Sequence, residues 1–538
     1  MPINTLDCLD HEFDVCVVGA GPAGLACALK AHDAGLSVLV LEAGDKRPVP
    51  GDPDVLAADI VHAGFHDPTE IVAASALGGS SHWWGGRCMP FDEVDFRHWP
   101  IPHSEMRPWW KAAAEFLGSR DLIESDAPAA FGRLKKFDAS RDETWGGELN
   151  MSRRWRARIG AANGPAFLLN ARVTALASDE KRITGVRARI DGAEHAVKAR
   201  HYVLACGGLG TLRLLLLAQR DNPALCGGAD GPLGRGYMGH LTGSIADLEL
   251  NDRKDIAAFV SRPLGDGVFG RRRIRPRAET VTGEKITNIA FWLDSGATSN
   301  ATHGSAVGSA KFVAAKLARA LLGRGGDSEA RLGPHLANIA RAPFSAIAGL
   351  SHAMYLLASS RLTGRHPRAT ALIPAGDGRW RMDYHAEQPR YADNRISLSD
   401  EVDSLGLPRL RIDFKMKPFE FDAVVRAHEL LDADLQAAGA GRLRFHGSRD
   451  QCVARVKDAA RDGYHQMGGA AMSASLATGV VDTDLKVHGL ANLWVASACV
   501  FPSGGQANPT MTIVGLACRL AEQLTRVGAA VMESGVAA

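Results

Sequence analysis

A doubly wound α/β fold, put together from separated pieces of the chain with a second domain inserted between them, is predicted by three features of the sequence. Apolar runs of strand length alternate with helical patterns. A glycine-rich turn stands directly between the first such strand and the first helix. The same strand-turn-helix grammar returns at residue 201 and again at residue 492.

Phe13 to Val18 is apolar without alternation, as suits a strand covered on both faces of a parallel sheet. Pro22 to Ala34 carries Leu25, Ala28 and Leu29 at helical spacing, and Gly35 stands where a helix stops. Leu36 to Leu41 is a second apolar strand, which completes a β-α-β unit. The grammar recurs at His201 to Cys206 with the leucine-rich run Leu212 to Ala218. It recurs again at Asn492 to Val495, followed by a Gly-Pro turn and an apolar helix from Pro509 to Leu524. Between these pieces the texture changes. Alternating stretches such as Ile396-Ser-Leu398 and Leu410 to Phe414 predict a sheet-plus-helix insertion. The expected division is 10–245, 246–455 and 456–530, the first and last forming one domain and the middle a second, with a loop at 75–100 reaching into the site.

The turn after the first strand reads Gly19-Ala20-Gly21-Pro22-Ala23-Gly24. A pyrophosphate held at a helix N-terminus needs backbone N–H groups, a tight turn and no obstructing Cβ atoms, and Gly19, Gly21 and Gly24 stand at the three demanding positions. Glu42, closing the second strand, is the carboxylate expected to accept ribose hydroxyls, with Ala43 beside it. This is a Rossmann-like site for an adenine dinucleotide, and both FAD and NAD use it.

Composition excludes several classes. With 62 basic and 60 acidic residues, the net charge of +2 gives no bulk attraction for nucleic acid. Nine cysteines, several inside apolar runs, form no disulfide framework, and no metal-binding spacing is present. The first residues lack the features of a secretory signal, so a cytoplasmic protein is expected, with export alongside a signal-bearing partner left open.

At Val487 to Ala496 and Val500 to Thr510 the sequence resembles the C-terminal signature of the glucose-methanol-choline (GMC) oxidoreductases. It also resembles that family at Leu77-Gly-Gly-Ser-Ser-His-Trp-Trp-Gly-Gly86 and at Glu387-Gln-Pro, Asn394-Arg-Ile-Ser-Leu and Leu405-Gly-Leu-Pro408. The Asn-Pro-Thr ending and Tyr464-His-Gln-Met-Gly468 are most similar to pyranose oxidases and bacterial sugar or glucoside dehydrogenases. The resemblance implies a split FAD-binding domain, an inserted substrate domain, and FAD-dependent oxidation of a CH-OH group to a carbonyl by hydride transfer to flavin N5. FAD contacts are implied at Gly79, Ser80, His82, Trp84, Gly85, Val173, Ala205, Ala498, Asn508 and Thr510, beside the phosphate loop.

His465 is the implied general base, since an alcohol gives up hydride readily only as its hydroxyl proton departs, and imidazole suits that transfer near neutral pH. Asn508 is expected to orient the substrate oxygen, and its place before Pro509 also suits a helix N-cap. The chain departs from the family pattern in two places. Gly468-Gly469-Ala470-Ala471-Met472 lacks a threonine and an arginine found in many members, and Ser497 stands where many carry aspartate. FAD is expected to be noncovalent, a covalent link through His82 being the alternative. The implied partners are a small alcohol, sugar or glucoside and an acceptor, either O2 or another redox partner. An oligomer or small accessory subunit is left open.

Two features stand apart from this assignment. Arg271-Arg-Arg-Ile-Arg-Pro-Arg277 reads as a solvated surface loop rather than a nucleic-acid patch. The stretch 311–362 includes the charge-free run Ala342 to Ser360. It reads as a core helix or subunit contact, with a lid over a hydrophobic or natural-product substrate as the alternative. A second nucleotide loop, which an NAD(P)-using flavin reductase would need, is not visible. A catalytically altered flavin-binding structural partner is the remaining reading, opposed by retention of His465 and Asn508.

Overall fold

The computed structural model describes residues 6–49, 56–294, 304–321, 332–347, 351 and 378–535. The nucleotide-type sheet has five parallel strands in the order Leu493–Val495, Ala199–Leu204, Phe13–Val18, Val38–Leu41, Ala166–Leu168. Phe13–Val18 is its centre. Val15, Cys16 and Val17 have no exposed surface, which accounts for the unbroken apolar run. Each such residue contributes roughly 1.5–3 kcal/mol of burial. Helix Pro22–Asp33 leaves this strand and packs on the C-terminal helix Thr510–Gly535. Gly24 makes the first turn feasible, because a Cβ there would lie 1.9 Å from the Gly19 carbonyl oxygen. The second expected unit is Ala199–Leu204 followed by the helix Gly207–Asp221, which starts five residues earlier than the leucine run.

Two further sheets carry the other half. One orders Ile289–Asp294, Trp380–Glu387, His240–Leu250 and Gly441–Phe445, all antiparallel. The other orders Met467–Gly469, Arg235–Met238, Arg395–Val402, Pro408–Asp413 and Ala58–Ile60. The alternation expected at 396–398 and 410–414 is therefore real, and Ile396, Leu410 and Ile412 are fully buried. The expected boundary at 245/246 falls inside the strand His240–Leu250. Strands from before residue 246 also serve this half, including Arg141–Trp145, which pairs with Val268–Arg272.

The surface-loop expectation for Arg271 to Arg277 is corrected by the structure. Arg271 and Arg272 end a strand, and Arg271, Arg272 and Arg273 are 6%, 2% and 2% exposed. Burying a guanidinium requires a paired carboxylate, and Glu143, on the neighbouring strand Arg141–Trp145, supplies it.

In the 311–362 stretch, the helices Ala306–Leu321 and Leu332–Arg341 form a small separate core around Ala306, Ala310 and Ala346. Most of the run 342–360 lies outside the described residues. Among the described residues no helix is long and apolar enough to cross a membrane.

Candidate active site

A cavity of about 700 Å³ runs from the first βα turn to the C-terminal signature. Its first end is backbone. Gly19, Gly21, Pro22 and Ala23 line it at the start of a helix whose N-terminal N–H groups receive no side-chain cap. Gly19 holds a left-handed φ of +103°, and a Cβ there would lie 2.6 Å from the Ala205 carbonyl oxygen. Glu42 and Ala43 lie on the wall. Glu42 is buried, which raises its pKa, while its oxygens accept the backbone N–H groups of Ala20 at 2.8 Å and Gly44 at 3.0 Å. The Ala43 backbone N–H is directed at the same carboxylate.

Gly79, Ser80, Trp84, Gly85, Val173, Ala205, Ala498 and Thr510 line the same cavity. A Cβ at Gly79 would fall 2.8 Å from the Gly21 Cα, so the two loops meet this closely only because residue 79 is glycine. This glycine-walled channel, opening on a bare helix N-terminus and a ribose-type carboxylate, fits an FAD.

Three of the residues expected to touch the cofactor are placed elsewhere. Ala20 and Gly24 are buried behind the turn, where they shape it. His82 is off the cavity wall. Its Nε2 lies 3.0 Å from the Leu77 carbonyl oxygen and its Nδ1 3.1 Å from the Asn150 amide nitrogen.

The other end is built from side chains. A tight turn, with Gly463 at φ +64° and Tyr464 at φ +61°, delivers His465 to the cavity. The Nε2 of His465 is 3.2 Å from the Asn508 amide nitrogen. The Asn508 oxygen accepts from an Arg273 guanidinium nitrogen at 3.1 Å, which orients the amide with its NH2 toward His465. Asn508 is thus committed to the site through both ends of its amide.

Arg273 is locked in turn. It pairs with Glu143 and donates to the Gln506 side-chain oxygen at 3.1 Å, while Arg271 grips the same carboxylate. Burial alone would push Glu143 up, but Arg271, Arg273 and Arg87 together hold it at about 2. Both Arg271 and Arg273 lie with their guanidinium carbons 5.0 Å from the Trp292 ring centre.

Two more histidines complete the cluster. His240 and His385 stand on adjacent strands, the register placing His385 opposite Thr242, and their rings lie 4.1 Å apart. The Nδ1 of His240 is 2.8 Å and the Nε2 of His385 3.2 Å from the His465 Nδ1. Their other nitrogens point at the backbone carbonyls of Gly505 and Gln506, at 2.8 and 2.7 Å. Burial, followed by the charge of Arg273, lowers the His465 pKa to about 4, so the ring is neutral at pH 7. Burial and the neighbouring imidazoles lower His240 and His385 well below the usual range.

His240, His385, Glu143, Arg271, Arg273 and Gln506 were not among the residues expected from sequence. One signal existed for the arginines. The i, i+2 spacing of Arg271 and Arg273 beside apolar Val268 and Ile274 places both on one face of an extended segment.

Comparison with known proteins matches residues 14–293, more than half the chain, to the FAD dependent oxidoreductase family, and residues 390–517 to the GMC oxidoreductase C-terminal family. The chain is 24% identical to 2-methyl-1,2-propanediol dehydrogenase of Mycolicibacterium austroafricanum, over 96% of this chain and 95% of that one. It is also 24% identical to 6'''-hydroxyparomomycin C oxidase of Streptomyces lividus, over 95% and 91%. Among solved structures it superposes on pyridoxine 4-oxidase from Mesorbium loti with a TM-score of 0.55 at 16% identity, covering 95% of this chain and 99% of that one. A fungal aryl-alcohol oxidase gives 0.51 at 15%, covering 96% and 99%. These structural likenesses establish the fold. With the family matches at both ends of the cavity, the chain belongs to the FAD-dependent oxidoreductases, among the GMC oxidoreductases.

Proposed function

We propose that this enzyme oxidises the CH-OH group of a small alcohol or sugar-like molecule to a carbonyl, with His465 as general base and Asn508 orienting the substrate oxygen. The observation that carries this reading is the pairing of a neutral, buried imidazole Nε2 with a fixed amide NH2 at the end of the cavity away from the phosphate loop. When bound, FAD supplies the acceptor for the hydrogen and electron pair that leave the carbon.

The hydroxyl proton passes to His465 Nε2. Asn508 offers its NH2 to the same oxygen, which brings that proton within reach of the ring. Arg273 holds the amide in the required orientation, and burial, with the Arg273 charge added to it, keeps His465 unprotonated at neutral pH. Gly19, Gly21, Pro22, Ala23, Glu42, Gly79, Ser80, Trp84 and Thr510 would hold the cofactor.

A noncovalent FAD is favoured by the placement of His82, whose ring nitrogens both have protein partners off the cavity. Acid precipitation should release the yellow colour to the supernatant, and colour kept in the pellet would overturn that part. The relatives named for a 2-methyl-1,2-propanediol dehydrogenase and a 6'''-hydroxyparomomycin C oxidase support a hydroxylated substrate. The choice between O2 and another acceptor, and a cytoplasmic location, belong to the same proposal.

The test is an anaerobic panel of diols, sugars, glucosides and benzylic alcohols scored by flavin bleaching, followed by admission of air. His465→Ala should keep its FAD and bleach roughly 10² to 10⁴-fold more slowly. Unchanged bleaching in that variant would sink the base assignment.

A further inference from the structure

We infer that His240 and His385 are positioning residues that together fix His465 in its Nδ1–H tautomer and share that proton when Nε2 takes up the substrate's. The inference rests on the proposed role of His465 as base.

The hydrogen bonds determine the protons by elimination. A carbonyl oxygen only accepts, so the Nε2 of His240, facing Gly505, and the Nδ1 of His385, facing Gln506, must each carry hydrogen. A neutral imidazole has one N–H, so the opposite nitrogens, His240 Nδ1 and His385 Nε2, present lone pairs. Both face the Nδ1 of His465, at 2.8 and 3.2 Å. That nitrogen must therefore be the donor, which leaves the His465 Nε2 bare and aimed at the Asn508 NH2. The Asn508 orientation, set independently by Arg273, demands the same bare Nε2.

Two neutral acceptors in place of a carboxylate suit a base that must stay unprotonated at rest. A buried carboxylate behind His465 would pull its affinity for protons up, whereas neutral rings hold the tautomer without that effect. Once the substrate proton arrives at Nε2, the Nδ1–H of the resulting imidazolium still has two lone pairs to donate to. The charged groups near the ring are Arg273 on one side, which shares the Glu143 carboxylate with Arg271 and Arg87, and Asp462 at the base of the 463–464 turn. The Asp462 backbone carbonyl, rather than its carboxylate, accepts the His240 and His465 backbone N–H groups.

The rival occupant of the same three nitrogens, which lie within 4.8 Å of one another, is a metal ion. Metal on the His465 Nδ1 would put the hydrogen on Nε2, facing an amide NH2 held there by Arg273. Donor would then meet donor.

The measurement is made on resting holoenzyme labelled with [15N]histidine. The His465 signals are those lost in His465→Asn. A protonated Nδ1 with a bare Nε2 at pH 7.5 is expected; the opposite tautomer, or a stoichiometric transition metal in the purified protein, overturns the proposal. In the double variant His240→Leu/His385→Leu the Nε2–H tautomer should appear. Bleaching by the best alcohol of the panel should slow 10- to 100-fold with KM little changed. In the double variant His240→Gln/His385→Gln, whose amide oxygens still accept, much of that rate should return. If the leucine variant retains both the tautomer and the rate, the lock is refuted while the base stands. If His465→Ala bleaches at the unaltered rate, the base falls and the lock with it. Should the leucine variant fail to fold, the tautomer of the unaltered enzyme decides alone.

Discussion

At the phosphate-loop end of the cavity the wall is backbone, contributed by Gly19, Gly21 and Gly79, while at the His465 end it is side chains contributed by strands and loops from residue 143 to residue 508. The first end works by removing Cβ atoms, so that phosphate can approach N–H groups. The second works by a chain of committed hydrogen bonds, from Glu143 through Arg273 and Asn508 to His465, with two histidines behind. A surface made of absences tolerates no addition, and one made of partnerships tolerates no deletion. The same kind of substitution should therefore fail in different ways at the two ends.

The largest effect is expected at the backbone end. Gly24→Val places its Cβ against the Gly19 carbonyl, at 1.9 Å before any relaxation, in the packing between the first helix and the central strand. The variant should be purified without yellow colour, or not fold at all; normal FAD content per chain would break the comparison. Next is Arg273→Met, which removes one of the two closest cations from a fully buried Glu143 and should cost about 3–5 kcal/mol of stability by urea unfolding. In that variant the acid limb of the bleaching rate should move to higher pH, because the Arg273 charge is one of the forces lowering the His465 pKa.

A third effect is acid destabilisation. His465 takes up a proton at about 6.5 when unfolded but only at about 4 when folded, so the unfolded state binds more protons between those values. Stability is full above pH 6.5 and falls as pH drops toward 4, by on the order of 3 kcal/mol for His465. His240 and His385, shifted in the same direction, add to it. Urea midpoints at pH 7.5 and pH 5 test this, and a higher midpoint at pH 5 would contradict it. The smallest effect is Glu42→Gln at the backbone end. One oxygen is replaced by a donor facing a backbone N–H, which should weaken FAD retention about tenfold, or ~1.4 kcal/mol, by dialysis against apoprotein.

The same contrast explains which parts were legible in the sequence. The glycine turn, Glu42 and the flanking strands form one contiguous unit of local signals, and the sheet places them as expected. His465 and Asn508 were readable through their motifs, and their mutual contact at 3.2 Å follows from the fold. His240 and His385 carried no local signal. Each is one histidine on an alternating strand, and their meeting depends on the antiparallel register that sets His385 opposite Thr242. The arginine run was misread because charge density suggests solvent unless the partner is known. Glu143 lies about 130 residues upstream, and only strand pairing brings it there. Pairwise burial is a long-range property that composition does not report.

The strand order has a consequence for the timing of synthesis. Phe13–Val18 is made before its four partners, yet it sits at the centre of its sheet and waits for Ala199–Leu204 on one side, while the edge strand Leu493–Val495 is the last of the five to be made. His465 and Asn508 flank this strand in the sequence and are synthesised close together in time. A nascent chain therefore completes its five-stranded sheet and the His465–Asn508 pair almost together. A ribosome that stalls before residue 465 leaves a product with the phosphate loop but no chemistry.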